Sequence, residues 1–378
     1  MTNAVIAGYA RSPFTLAKKG ALAKVRPDDL TADVVRALVA RTGIKSEDIE
    51  DLLLGCAFPE GEQGLNLARL VALNADLPLS VSGATINRFC GSSMTAVHVA
   101  AGSILLGAGE VFIAAGVESM TRVPLGGYNP LPNPVLNARL PGAYLGMGDT
   151  AENVARRWDI SRAAQEALAV RSHKLAKNAQ DQGRFADEIV PIKTGNAIVD
   201  QDGCIRGDTS LEGLAALKTA FDAEGSVTAG TSSPLTDGAS AVLVTSESYA
   251  KEHGLVPLAR IIAVAVAGCA PDVMGIGPVA ATRKALKRAG LTIDQIDIVE
   301  LNEAFAAQAL ACIADLGIRE ETLNIDGGAI ALGHPLGATG ARIVGKAASL
   351  LKREGARYAL ATQCIGGGQG IATILERI

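Results

Sequence analysis

At 378 residues with 48% apolar content, the chain exceeds one ordinary hydrophobic core, so two or three domains are expected. Its 35 Lys and Arg stand against 39 Asp and Glu with no basic block, which argues against a nucleic-acid groove. Six scattered cysteines without Cys-x-x-Cys spacing and four histidines suggest neither a metal site nor a disulfide framework. Residues 1–8 lack the charged and apolar regions of a leader and no charge-free run is read as reaching membrane-spanning length, so a cytoplasmic protein without a membrane span is expected.

Residues 4–8 read as a short strand. Pro27-Asp28-Asp29-Leu30 then opens a helix with Leu30, Val34, Leu38 and Val39 on one face, closed by a turn at Gly43. The stretch from Gly43 to Leu54 has a near copy from Gly290 to Leu301, 247 residues later. The same offset lays the strand-like residues 111–117 on 358–364, each behind a Gly/Ala-rich helix. The chain therefore contains its fold twice. Each half reads strand, helix, strand, helix, strand, which predicts α/β units with mostly parallel, buried sheets. The two Gly/Ala-rich helices, after Cys90 and after Gly337, are predicted to meet at the centre.

The halves differ in one respect. After Cys364 only a glycine-rich turn precedes the last strand, 371–375, whereas the first half detours for more than a hundred residues before its matching strand at 239–244. The detour holds a Pro/Gly/Asn-rich loop at 124–141, a helix predicted over 152–182 with Trp158, and a loosely patterned region. The expected organisation is a first half, 1–118, completed by 236–256; an inserted loop domain, 119–235; and a second half, 257–378. An insertion at a strand's carboxyl end sits where open α/β sheets keep their ligands, so it is expected to choose the substrate.

Cys90, in Asn87-Arg88-Phe89-Cys90-Gly91-Ser92-Ser93, stands at a predicted helix start, where unpaired N–H groups and the helix dipole favour thiolate over thiol. A buried core cysteine fits the same residues, and distant residues must decide. His334, in Gly333-His334-Pro335, lies three residues before Gly337, the counterpart of Cys90 under the repeat. Two related helix starts meeting at an interface would bring the thiol and imidazole together, and such a pair activates a nucleophile. Cys364 is a second thiol, before Gly366-Gly367-Gly368, whose exposed N–H groups suit an oxyanion. Asn302, in Asn302-Glu303-Ala304-Phe305, reads equally as a holder of water or carbonyl at a strand end and as a helix N-cap. His98, Cys56, Cys204, Cys269 and Cys312 are read as structural.

These four separated motifs, in this order and spacing, make the whole chain resemble a thiolase. The resemblance implies the thiolase fold, two duplicated βαβαβ-type halves in a five-layered α-β-α-β-α core with an inserted loop domain. It also implies that Cys90 is the nucleophile, His334 its base, and Cys364 the acid/base at the acetyl-CoA α-carbon. Asn302 would hold a water that forms one oxyanion hole with His334, and the N–H groups of Cys90 and Gly366 would form the other. Ser233 matches a pantetheine-contacting serine, with Phe221, Met147, Met274 and Phe305 as apolar neighbours. Coenzyme A enters as co-substrate with acyl-CoA thioesters, and no tightly bound cofactor is implied. The family resemblance further implies a homo-oligomer, dimer or tetramer, with a hydratase/dehydrogenase partner subunit left open.

Short-chain biosynthetic thiolases typically carry His-Met-Gly where this chain has Gly146-Met147-Gly148. The chain is thus more similar to the degradative 3-ketoacyl-CoA thiolases, with biosynthetic acetoacetyl-CoA thiolase as the alternative. A ketoacyl synthase shares the duplicated fold but gives Cys364 no role. A non-catalytic lipid- or CoA-binding relative would not need both thiols and His334.

Overall fold

The computed structural model describes residues 3–378. The repeat is visible first in its turns. Gly43 (φ 67°) and Gly290 (φ 68°) each end a helix in the left-handed region, which glycine enters without a Cβ penalty. Each is followed by a 3₁₀ turn, Ser46–Asp48 or Ile293–Gln295, and then by a strand.

The first half contributes strands β1 (Ala4–Arg11), β2 (Asp51–Gly55), β3 (Ser82–Ile86), β4 (Val111–Ser119) and β5 (Thr236–Ser246). The second contributes β6 (Ala259–Gly268), β7 (Ile298–Leu301), β8 (Tyr358–Ile365) and β9 (Gln369–Glu376). Their order across the molecule is β7-β8-β9-β6-β1-β5-β4-β2-β3. Reading β2-β4-β5-β1 from one half and β7-β8-β9-β6 from the other gives the same sequence of corresponding strands. Among the described residues, strand pairing between the halves is confined to Val5 and Ile6 with Arg260 and Ala259. The counterpart of β3 has shrunk to one parallel bridge, Val299 to Leu323.

The expectation of mostly parallel sheets is corrected. Only β2–β3, β2–β4 and β7–β8 pair in parallel, while β4–β5, β5–β1, β8–β9 and β9–β6 are antiparallel. The short link Gly366-Gly367-Gly368 is the physical reason at β8–β9. A parallel partner needs a crossover of a dozen or more residues, whereas a tight glycine turn returns the chain antiparallel. Gly367 (φ 79°) and Gly368 (φ 84°) supply the left-handed steps of that turn.

The long helices are α1 (Pro27–Thr42), α2 (Leu67–Asn74), α3 (Ser92–Leu106), α4 (Met147–Arg157), α5 (Arg162–Asp181), α6 (Gly277–Ala289), α7 (Ala306–Leu316) and α8 (Leu336–Glu354). Alternation along the strands divides the core. Leu52 and Leu54 face α1 and α2, packing with Leu30, Val34, Leu38 and Val71. Leu53 faces the other way, into a layer shared by Met94 and Val97 of α3 and Ile343 and Val344 of α8. Ala361, Ile371 and Leu375 close that layer from the second sheet, and Leu360 and Ile374 face outward to α6 and α7. The result is the expected five layers.

Two further expectations change. The single helix over 152–182 is two helices, because α4 ends at Trp158, Asp159 turns left-handed (φ 52°), and the Ser161 hydroxyl caps α5 by accepting from the Ala164 N–H. A charge-free run of membrane-spanning length does exist, Phe89–Leu106, with mean hydropathy 1.4. Packing accounts for part of its apolar character: most of the run is α3, in which Met94, Ala96, Val97 and Ile104 are buried while Val99, Leu105 and Leu106 are exposed.

The central helices touch backbone to backbone. A Cβ at Gly340 would sit 2.2 Å from the Met94 nitrogen, and one at Gly337 2.4 Å from the Val117 oxygen. Gly340→Ala is therefore expected to destabilise the fold by about 1–3 kcal/mol, since backbone must shift to admit the methyl. Gly102→Ala, in α3, meets nothing within 4 Å and should be neutral or stabilise by roughly 0.5–1 kcal/mol. Denaturant midpoints check the pair; matching midpoints would show that α3 and α8 are not held at contact distance.

Candidate active site

Cys90 is held by a tight turn that ends β3 and starts α3. The Asn87 amide donates to the Ala57 oxygen at 3.0 Å, and Asn87 Oδ1 accepts from the Phe89 N–H at 2.8 Å. The Arg88 N–H donates to Ser92 Oγ at 2.9 Å. These bonds hold Phe89 at φ 45°, a costly conformation for an aromatic residue, and place Cys90 just ahead of the Gly91 cap of α3. From the second half the Gln363 amide donates to the Cys90 carbonyl, and the Gly366 N–H acts on the Cys90 thiol by favouring its ionised form.

His334 is placed by α8. Gly333 (φ 100°) turns the chain against Thr236, where a Cβ would come within 2.7 Å of that side chain, and the His334 N–H donates to Thr236 Oγ1 at 3.1 Å. The ring lies between two partners. Nδ1 is 2.6 Å from Thr339 Oγ1, and Nε2 is 3.3 Å from the amide nitrogen of Asn302. Asn302 is thus not a helix cap: α7 begins at Ala306 with Phe305 as the capping position. Its Oδ1 is buried without a partner.

Cys90, His334 and Cys364 line one cavity of about 90 Å³ together with Met147, Ser233, Met274 and Phe305. Ser233 donates its hydroxyl to the Ala304 carbonyl at 3.0 Å, which ties the inserted segment to the loop after β7. Phe221 does not line the cavity. It stands behind, half exposed, with its ring edge-on to Phe305 at 5.9 Å. Met120, Leu125, Leu235 and Leu336 also line the cavity and had no distinguishing pattern in the sequence. Thr339 did have a signal: it follows Pro335 by four residues in a helical stretch, which puts its hydroxyl over the Pro335 carbonyl.

Electrostatics overturn one expectation. Burial pushes the Cys90 thiol up to about 12, against the downward pull of the Gly366 and Cys90 N–H groups, and Glu118 adds to the rise. Burial, followed by the charge of Arg342, lowers His334 to about 3. The resting pair is therefore neutral thiol and neutral imidazole. Helix-start donors do not by themselves make a thiolate here, because the apolar surroundings outweigh them. Cys364, fully buried, is likewise held well above the ordinary thiol range by burial and then by Cys90. Chemically the site has two thiols, one imidazole able to take a proton, and N–H groups that favour an ionised Cys90.

Comparison with known proteins finds relatives along the whole chain. Residues 4–248 match the family model "Thiolase, N-terminal domain", and residues 255–377 match "Thiolase, C-terminal domain". A 3-ketoacyl-CoA thiolase of Bacillus subtilis is 45% identical over the full length of both chains. Another, of Marinomonas sp., is 48% identical over 100% of this chain and 98% of that one. The crystal structure of the Bacillus anthracis acetyl-CoA acetyltransferase superposes with a TM-score of 0.93 at 40% identity, covering 100% of this chain and 99% of that chain. With both family models matched and relatives of 45–48% identity over its full length, the chain belongs to the thiolase family.

Proposed function

We propose that this protein is a 3-ketoacyl-CoA thiolase, an acyltransferase that cleaves 3-ketoacyl-CoA with coenzyme A to acetyl-CoA and a shortened acyl-CoA. The observation that carries this reading is the convergence of Cys90, His334 and Cys364 on one cavity. Full-length likeness to enzymes of that name supports it.

In this reading His334 Nε2 takes the Cys90 proton as the sulfur attacks the 3-keto carbonyl. The N–H groups of Cys90 and Gly366 stabilise the tetrahedral oxygen. When the C2–C3 bond breaks, its electron pair passes to C2, and the acetyl-CoA enolate takes a proton from the Cys364 thiol. Asn302, through a water and beside His334, stabilises the enolate oxygen. A fresh CoA thiol gives its proton to the Cys364 thiolate and attacks the acyl-Cys90 carbonyl. The departing Cys90 sulfur recovers its proton from His334, so both thiols and the imidazole return to their starting state. Coenzyme A is a substrate throughout, approached along Ser233, Met147, Met274 and Phe305.

The reading extends to the domains, with 119–235 as the inserted substrate-binding unit between the halves 1–118 (completed by 236–256) and 257–378. A homo-oligomer formed through the core is supported by the open edge at β3 and by exposed Val99, Leu105 and Leu106 on the adjoining α3. A cytoplasmic location is supported by six free cysteines.

Incubation with acyl-CoA lacking free CoA is expected to leave an acyl adduct on Cys90, mapped by mass spectrometry; an adduct at Cys364 alone would falsify the assignment. Cys364→Ala is expected to retain acylation of Cys90 while losing hydrogen exchange at the acetyl-CoA α-carbon and thiolysis by about two orders of magnitude or more. Near-parental rates for both steps in that variant remove Cys364 from the mechanism.

Acyl length follows from residue 146. A Cβ there would meet only the Asp149 carboxyl, nearest at 2.9 Å, and Gly146 directly precedes the cavity-lining Met147, which supports a roomier acyl path in this reading. Each buried methylene contributes about 0.8 kcal/mol, so substrates longer than acetoacetyl-CoA are expected to have the higher kcat/KM. A thiolysis series from C4 to C16 at fixed CoA tests this; a preference for C4 supports the acetoacetyl-specific alternative instead.

A further inference from the structure

A neutral imidazole carries one hydrogen, and a base for Cys90 must keep its lone pair on the nitrogen that faces the thiol. The Asn302 amide, 3.3 Å from His334 Nε2, does not dictate which nitrogen that is. The amide can be turned over to suit either ring form. The other neighbour of the ring is a hydroxyl, and its surroundings are less permissive.

Thr339 Oγ1 is fully buried and has two neighbours, the Pro335 carbonyl at 3.1 Å and His334 Nδ1 at 2.6 Å. It owns one hydrogen. The carbonyl can only accept, so the hydroxyl that donates to it turns a lone pair to Nδ1, and only a protonated Nδ1 satisfies that contact. The opposite arrangement gives up the Thr339–Pro335 bond and moves the ring hydrogen to Nε2, where the imidazole could no longer receive a proton from Cys90. Both residues are fixed to one scaffold. His334 directly precedes Pro335, the capping position of α8, and Thr339 lies in its opening turn.

We infer that Thr339 is a positioning residue that sets the tautomer of His334, keeping the hydrogen on Nδ1 and leaving Nε2 free of hydrogen to take the Cys90 proton. This rests on the reading of His334 as the base for Cys90. The same contact serves after proton transfer, because the imidazolium already has an acceptor for its Nδ1–H. A hydroxyl, unlike a carboxylate, adds no counter-charge, so the ring keeps the low basicity that burial gives it and passes the proton on.

The chain has only four histidines, so nitrogen NMR of histidine-labelled protein can resolve their tautomers, with His334→Asn identifying the relevant signal. In the parent protein His334 is expected to show a protonated Nδ1 and a bare Nε2; the reverse overturns the proposal whatever the activity of any variant. Thr339→Val, which keeps the shape and removes the hydroxyl, is expected to give a mixture of tautomers and to lower kcat at least about tenfold with KM within about twofold. Thr339→Ser is expected to restore both the single tautomer and the rate. If Thr339→Val keeps the parental tautomer and kcat, or if Thr339→Ser is as impaired as Thr339→Val, the hydroxyl does not set the ring. Failure of His334 as base would appear separately, as an active His334→Asn enzyme beside an unchanged parental tautomer.

Discussion

The backbone contact between the two central helices is the constraint on which this structure depends. Gly340 lies against the Met94 nitrogen, with no room for a methyl between them. That contact brings α8 down on α3 at their amino-terminal ends, so the residues just ahead of each helix, His334 and Cys90, are delivered to the same cavity. The surrounding sheets add to this placement. β4 and β5 carry the first helix pair from one side, and β8 ends at the cavity with Cys364 and the glycine turn. Wider spacing of the helices would part the thiol from the base before any side chain changed.

Burial then sets the chemistry. The surroundings that pack the helices together push Cys90 up to about 12 and His334 down to about 3. Charge therefore appears at the centre only while a reaction is under way, when N–H donors and a developing oxyanion are present to compensate it. Before then the site holds no ion pair that must be desolvated by the substrate, which suits an apolar acyl chain. Fixed charges are kept one step back. Glu118, for example, is occupied by N–H donors from Ala57, Phe58 and Gly337 at 2.8–3.2 Å and by the Gln63 amide at 2.9 Å.

Much of this was legible in the sequence because duplication repeats punctuation as well as pattern. Gly43 and Gly290 marked the same turn twice, and the offset between them aligned the strands and predicted that Cys90 and His334 meet. What was not legible depended on residues whose role is set by tertiary neighbours. The antiparallel pairing at β9 was implicit in three glycines, yet strand alternation with helices gave greater weight to parallel sheets. The break after Trp158 depends on a left-handed Asp159, a residue type that occupies helices and turns alike. The ionisation of Cys90 was misjudged because a helix start can be read from sequence, whereas the depth of apolar cover above it cannot.

The duplication also explains why the chain has one reactive centre rather than two. Under the repeat, Cys90 corresponds to Gly337 and Cys364 to Val117. Cys90 and Cys364 form one pair, where a sulfur stands at each position and a cavity opens between the halves; Gly337 and Val117 form the second. At the second pair the same approach is closed: a Cβ at Gly337 would lie 2.4 Å from the Val117 oxygen and 2.8 Å from the Cys56 Cα. The Gly337 N–H, which by symmetry with the donors around Cys90 would be available to an oxyanion, is instead bonded to Glu118 at 2.9 Å. A cysteine placed there would have neither space nor donor. The packing that shuts the second position is the contact that seats α8 against the first sheet, so closing one copy of the site is what builds the other.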